Sequence, residues 1–99
     1  MFVFGAIKSS DAYRGALRSV ERDPQVIDAL GTPIHAGFWV TGSVNVNNGQ
    51  GNARIEFPVE GPKQRARVHA EATLESGAWH YTEIVVTPKS GPPINVRQP

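Results

Sequence analysis

His35, His69 and His80 are the residues best suited to hold a metal or shuttle a proton, yet no HxH or HExxH spacing links them. Strand pairing could bring His69 beside His80, with Glu71 or Glu56 as an added oxygen ligand. Half-exposed strand histidines beside glutamates are usually idle, so no metal or cofactor is expected. None of Ser9, Ser10, Ser19, Ser43, Ser76 and Ser90 sits in a GxSxG elbow, and Ser43 falls mid-strand with no base opposite. Glu56, Glu60, Glu71 and Glu75 share a solvent face instead of meeting in a cleft, which argues against paired-carboxylate chemistry. The stretch from Asn45 to Asn52 carries Gly49 and Gly51 but leads from strand to strand, so it is a hairpin and no phosphate loop. The chain has no cysteine, which removes disulfides and thiolate chemistry and leaves the compartment open. No catalytic residue is expected, and the chain does not read as an enzyme.

These side chains are positioned by the segment Gly37 to Leu74, which reads as three antiparallel strands. Asn48-Gly49 is the strongest hairpin signal, because both residues tolerate the positive φ of a type I′ turn. That turn pairs Asn47 with Gln50, Val44 with Ala53, Val40 with Phe57 and Phe38 with Val59. On the opposite face it pairs Asn45 with Asn52, Ser43 with Arg54, Thr41 with Glu56 and Trp39 with Pro58. A one-residue slip would set apolar residues against polar ones, so turn chemistry and alternation agree. The second turn, Gly61-Pro62-Lys63-Gln64, pairs Glu60 with Arg65, Val59 with Ala66, Phe57 with Val68, Ile55 with Ala70 and Ala53 with Ala72. Arg54 then meets Glu71 and Glu56 meets His69, complementary pairs that played no part in choosing the register.

Before the sheet, Ser9-Ser10-Asp11 offers cap chemistry, and Tyr13, Ala16, Leu17 and Val20 recur at helical spacing. Gly15 weakens that helix or lets it approach the sheet closely. Asp23-Pro24 restarts a short helix carrying Val26, Ile27 and Leu30, which Gly31 ends as a left-handed cap and Thr32-Pro33 forbids from continuing. After the meander, Ser76-Gly77 opens a third hairpin into residues 78–87. A plain two-residue turn puts Trp79, Tyr81 and Val85 inward, whereas Ile84 and Val86 demand the opposite parity. A bulge near Thr82-Glu83, or a strand buried on both faces, reconciles them. Ile94-Asn95-Val96 reads as a short edge strand. The expected fold class is therefore α+β, with two N-terminal helices packed on one face of a four- to five-stranded antiparallel meander sheet.

At 99 residues with a net charge of +1, the chain holds one domain and has no field suited to nucleic acid. Residues 1–8 form an apolar lead-in, read either as the end of a removed membrane anchor or as a segment that packs on the body. Residues 9–97 form the single α+β domain. The outer sheet face is the expected partner interface: Trp39 beside Pro58, with Arg54, Arg65, Arg67 and His69 nearby, mixes an aromatic with guanidinium groups. A solvated face with Trp39 tucked under Phe2–Phe4 is the plainer reading. The alternative function is a small-ligand carrier, with a pocket between helix and sheet lined by Tyr13, Phe38, Phe57 and Trp79.

Ser10-Asp11-Ala12-Tyr13, Ala16-Leu17, Asp23-Pro24-Gln25-Val26, Leu30-Gly31-Thr32-Pro33-Ile34, Gly42-Ser43-Val44 and Val59-Glu60-Gly61-Pro62-Lys63, followed by Trp79, carry a family likeness. In this order they resemble the cytochrome oxidase assembly factor 1 family, which is grouped with a subunit of the mitochondrial presequence translocase. The likeness spans nearly all of residues 9–97. It implies a small domain on one N-terminal transmembrane helix, facing the intermembrane space in mitochondria or lying outside the cytoplasmic membrane in bacteria. It also implies a non-enzymatic role, helping to assemble or organise a respiratory membrane complex by binding a membrane protein or complex subunit. No shared catalytic residues come with the family, and self-association is left open.

Overall fold

The computed structural model describes residues 11–37 and 39–96. Helix α1 spans Asp11–Arg22 and α2 spans Pro24–Leu30; the strands are β1 His35–Ala36, β2 Thr41–Asn47, β3 Gln50–Glu60, β4 Arg65–Glu75, β5 Ala78–Pro88 and β6 Ile94–Asn95. All six strands join one antiparallel sheet, one or two more than the sequence suggested. Since β4 occupies one side of β3 from Gly51 to Glu60, β1 and β2 both lie along its other side. They are one interrupted edge.

The interruption corrects part of the expected register. Pairing follows the Asn48-Gly49 turn from Asn47–Gln50 up to Thr41–Glu56, then resumes at Ala36–Val59. That leaves two β3 residues, Phe57 and Pro58, between the two stretches of pairing. It is Ala36, and not Phe38, that stands opposite Val59, and the Pro58 carbonyl accepts from the Gly37 N–H at 2.7 Å, displacing Trp39 from that pairing. Pro58 is the cause: it has no N–H to return to that side, so the ladder cannot close there. Val40 is nonetheless buried with Phe57 in the core. Phe38, the cap residues Ser9-Ser10 and the lead-in 1–8 lie outside the described residues.

The β3–β4 ladder runs as expected, through Ala53–Ala72, Ile55–Ala70, Phe57–Val68 and Glu60–Arg65. The β4–β5 ladder contains the bulge. Ala72 pairs Tyr81 but Glu71 pairs Glu83, leaving Thr82 as the extra residue, with its hydroxyl donating to the Glu71 carbonyl at 3.2 Å. Trp79 and Tyr81 consequently pack against the core, Ile84 and Val86 are buried, and Val85 turns to the outer face, opposite to the parity of an unbroken hairpin.

Asp23 caps α2, its carboxylate accepting from the Gln25 and Val26 N–H groups at 2.9 and 3.1 Å, and Pro24 takes the first helical position. Gly31 ends α2 with φ of 80°, but its ψ of 174° lies outside the left-handed helical region expected. Ala12, Tyr13, Ala16, Val20, Val26 and Leu30 share one core with Ile55, Phe57, Val68, Ile84 and Val86. Helix α1 is fastened by the Tyr81 hydroxyl, which donates to the Ala12 carbonyl at 2.6 Å. A side chain at Gly15 would overlap that hydroxyl, which explains a glycine inside the helix.

Candidate functional site

Alternation in β3 and β4 buries Ile55, Phe57, Val59, Val68 and Ala70 and turns the intervening residues outward. The cross-strand pairs Arg54–Glu71, Glu56–His69, Pro58–Arg67 and Glu60–Arg65 thus share the outer face. The displaced Trp39 stands 42% exposed, with the Arg67 guanidinium carbon 6.0 Å from its ring centre, at the outer reach of a cation–π contact. So Arg54, Pro58, Arg65, Arg67 and His69 lie along one face of the β3–β4 ladder, and Trp39 meets that row at Arg67. Its ion pairs, Arg54–Glu71 at 4.0 Å and Arg65–Glu60 at 3.7 Å, are exposed and add little to stability.

The tightest polar cluster centres on His69. Its Nδ1 lies 3.0 Å from Glu56 Oε2 and its Nε2 2.8 Å from Glu71 Oε2. Glu83, across from Glu71, places a carboxylate oxygen in the same cluster, within 4.8 Å of the Glu71 and His69 donor atoms. His80 is no member of it: it pairs with Thr73, on the hairpin side of the bulge. Sequence reasoning missed Glu83, because only the extra residue Thr82 shifts it into line with Glu71.

The hydrogen bond to Glu71 raises the His69 pKa above its ordinary 6.5, against burial and with help from Glu56. The same bond, then the Arg54 charge, lowers Glu71 below its ordinary 4.5. A raised histidine contributes stability that is full below 6.5 and lost as pH climbs through its folded value. A lowered carboxylate contributes above 4.5 and loses that as pH falls through its own. The cluster is thus strongest between those limits. In chelator-treated buffer, the excess urea midpoint of the native protein over His69→Gln should be larger at about pH 5.5 than at about pH 8.5. An excess independent of pH would show that the two glutamates do not hold the imidazolium.

The carrier reading draws on Tyr13, Phe38, Phe57 and Trp79. Tyr13 and Phe57 are both buried and meet edge-on, with ring centres 4.9 Å apart. Trp79 packs half-buried against the same core, and Phe38 lies outside the described residues. Grooves occur along the β2–β3 tip from Val44 to Asn52 and between α2 and the Ser90–Ile94 segment, lined by none of these four.

A family model described as cytochrome oxidase complex assembly protein 1 matches residues 1–98. The chain belongs to the cytochrome oxidase complex assembly protein 1 family. Membership implies a part in assembling cytochrome oxidase, a non-enzymatic role, and interaction with respiratory-complex subunits. The assembly protein 1 family consists of factors associated with the mitochondrial inner membrane. No curated protein and no solved structure is significantly similar to the chain. Among the described residues no helix is long and apolar enough to cross a membrane.

Proposed function

We propose that this chain is a membrane-tethered docking domain that serves oxidase assembly by presenting the outer face of its sheet to a membrane protein or complex subunit. The observation that carries this reading is the exposed Trp39 with Arg67 near its ring, on a face that also presents Arg54, Pro58, Arg65 and His69. Aromatic and guanidinium groups together supply most of the binding energy in protein interfaces. Residues of both helices share the core with the inward-facing residues of β3 and β4, and the alternate residues of those strands are the ones offered to a partner. Residues 1–8 lead in from an anchor, residues 9–97 form the docking domain, and the domain lies on the extracytoplasmic side; these three points rest on the family likeness. The near-neutral net charge of +1 favours a protein partner over nucleic acid.

The test is capture from detergent-solubilised membranes using the anchored protein. Trp39→Ala and Arg67→Ala should each weaken capture of the oxidase subunit by roughly 30-fold, as expected for a hot-spot loss of about 2 kcal/mol, with the melting temperature unchanged. Unchanged capture together with lost stability would make Trp39 a packing residue and end the proposal.

A further inference from the structure

We propose that His69, Glu71 and Glu83 form a binding site for a divalent first-row cation of the Zn²⁺ type on the outer face of β4 and β5. Their donor atoms lie within 4.8 Å of one another. A tetrahedral ion with bonds of about 2.0–2.2 Å holds its donors about 3.3–3.6 Å apart. The His69 Nε2–Glu71 Oε2 separation of 2.8 Å and the 4.8 Å limit on the set bracket that spacing.

Two further observations point to a cation. Glu56 occupies His69 Nδ1 at 3.0 Å, leaving Nε2 turned toward Glu71. A carboxylate behind an imidazole fixes the ring and its tautomer and makes the other nitrogen a better ligand, as in many zinc sites. Glu71 and Glu83, moreover, stand directly across from each other, and like charges so placed repel. Arg54 reaches only Glu71, at 4.0 Å, and among the described residues Glu83 has no ion-pair partner. Folding therefore leaves two carboxylates in register around one oriented nitrogen, an arrangement that a divalent ion relieves.

The donor set is one nitrogen and two oxygens with no sulfur, which suits Zn²⁺ and its neighbours; Mg²⁺ and Ca²⁺ prefer oxygen alone. The site is open to solvent, so waters complete the shell and the ion exchanges freely, unlike a closed structural centre. Binding displaces any Nε2 proton to solvent. The site is independent of the docking reading, because the ion alone is the probe.

The experiment is titration of the tag-free 99-residue chain with zinc chloride at about pH 7.5, followed by calorimetry, thermal melting and the imidazole ¹⁵N shifts. The expected result is one saturable ion per chain, a higher melting temperature and a shift at His69 Nε2. Glu56→Gln should weaken binding by roughly 10–100-fold, and Glu83→Gln or His69→Gln by more than that. His80→Gln should change nothing. Absence of saturable binding, equal affinity in the native protein and Glu83→Gln, or a loss in His80→Gln would each overturn the assignment. Circular dichroism verifies that these exposed-face variants remain folded.

Discussion

Replacing Phe57 with alanine is expected to cost about 3–5 kcal/mol of folding free energy, the upper range for truncating a core side chain. Phe57 is 1% exposed and, among the described residues, the largest of the fully buried side chains. It sits opposite Val68 on β4 and takes the Tyr13 ring edge-on at 4.9 Å, so its loss removes an aromatic pair as well as buried area. Tyr13 comes from α1 and Val68 from β4, so closing the cavity would require both elements to shift. A domain of this size has only about 5–15 kcal/mol to lose, and the melting temperature should fall by roughly 4–8 °C for each kcal/mol. Val46→Ala is the control: Val46 is 59% exposed near the β2–β3 tip, and its truncation should stay within about 0.5 kcal/mol. Comparable urea midpoints for the two variants would mean that Phe57 does not join helix to sheet.

That core was legible because local and global signals agreed. Asn48-Gly49 allowed one turn, alternation allowed one register, and Ala53, Ile55, Phe57, Val68 and Ala70 then had to share a face, as they do. Legibility ended where the ladder gains residues. Pro58 was visible in the sequence as a strand residue without a donor, but a missing N–H does not say how many residues the opposing edge will insert; it inserts two. The conflict between Tyr81 and Ile84 announced a bulge, and Thr82 takes that place. The same shift puts Glu83 beside Glu71, which is why the His69 cluster was half seen. A polar residue beyond a bulge has no apolar pattern to fix its face, so His80 and Glu83 were equally plausible neighbours until the backbone placed them.

Two of the family stretches, Leu30-Gly31-Thr32-Pro33-Ile34 and Val59-Glu60-Gly61-Pro62-Lys63, meet in space, and Gly61→Ala should expose what they do. The β3–β4 turn caps the end of α2. Lys63 N–H donates to the Leu30 carbonyl at 2.9 Å, Lys63 Nζ to that of Asp28 at 2.9 Å, and Gln64 Nε2 to that of Ala29 at 3.0 Å. These are last-turn carbonyls that a helix cannot satisfy internally. Gly61 lies so close that an added Cβ would collide with the Leu30 carbonyl, which is backbone and cannot rotate away. Overpacking of this kind costs about 1–3 kcal/mol, and each hydrogen bond lost as the turn backs off adds about 0.5–1.5 kcal/mol. A total near 3 kcal/mol is expected in denaturant unfolding, whereas Lys63→Met, which removes one exposed bond, should cost no more than about 1 kcal/mol. Equal effects would mean that the turn tolerates displacement and the contact is loose. If the large difference is found, these stretches mark an architectural joint. A variant there would then fail in assembly by unfolding, in contrast to Trp39→Ala, which should lose partner capture at full stability.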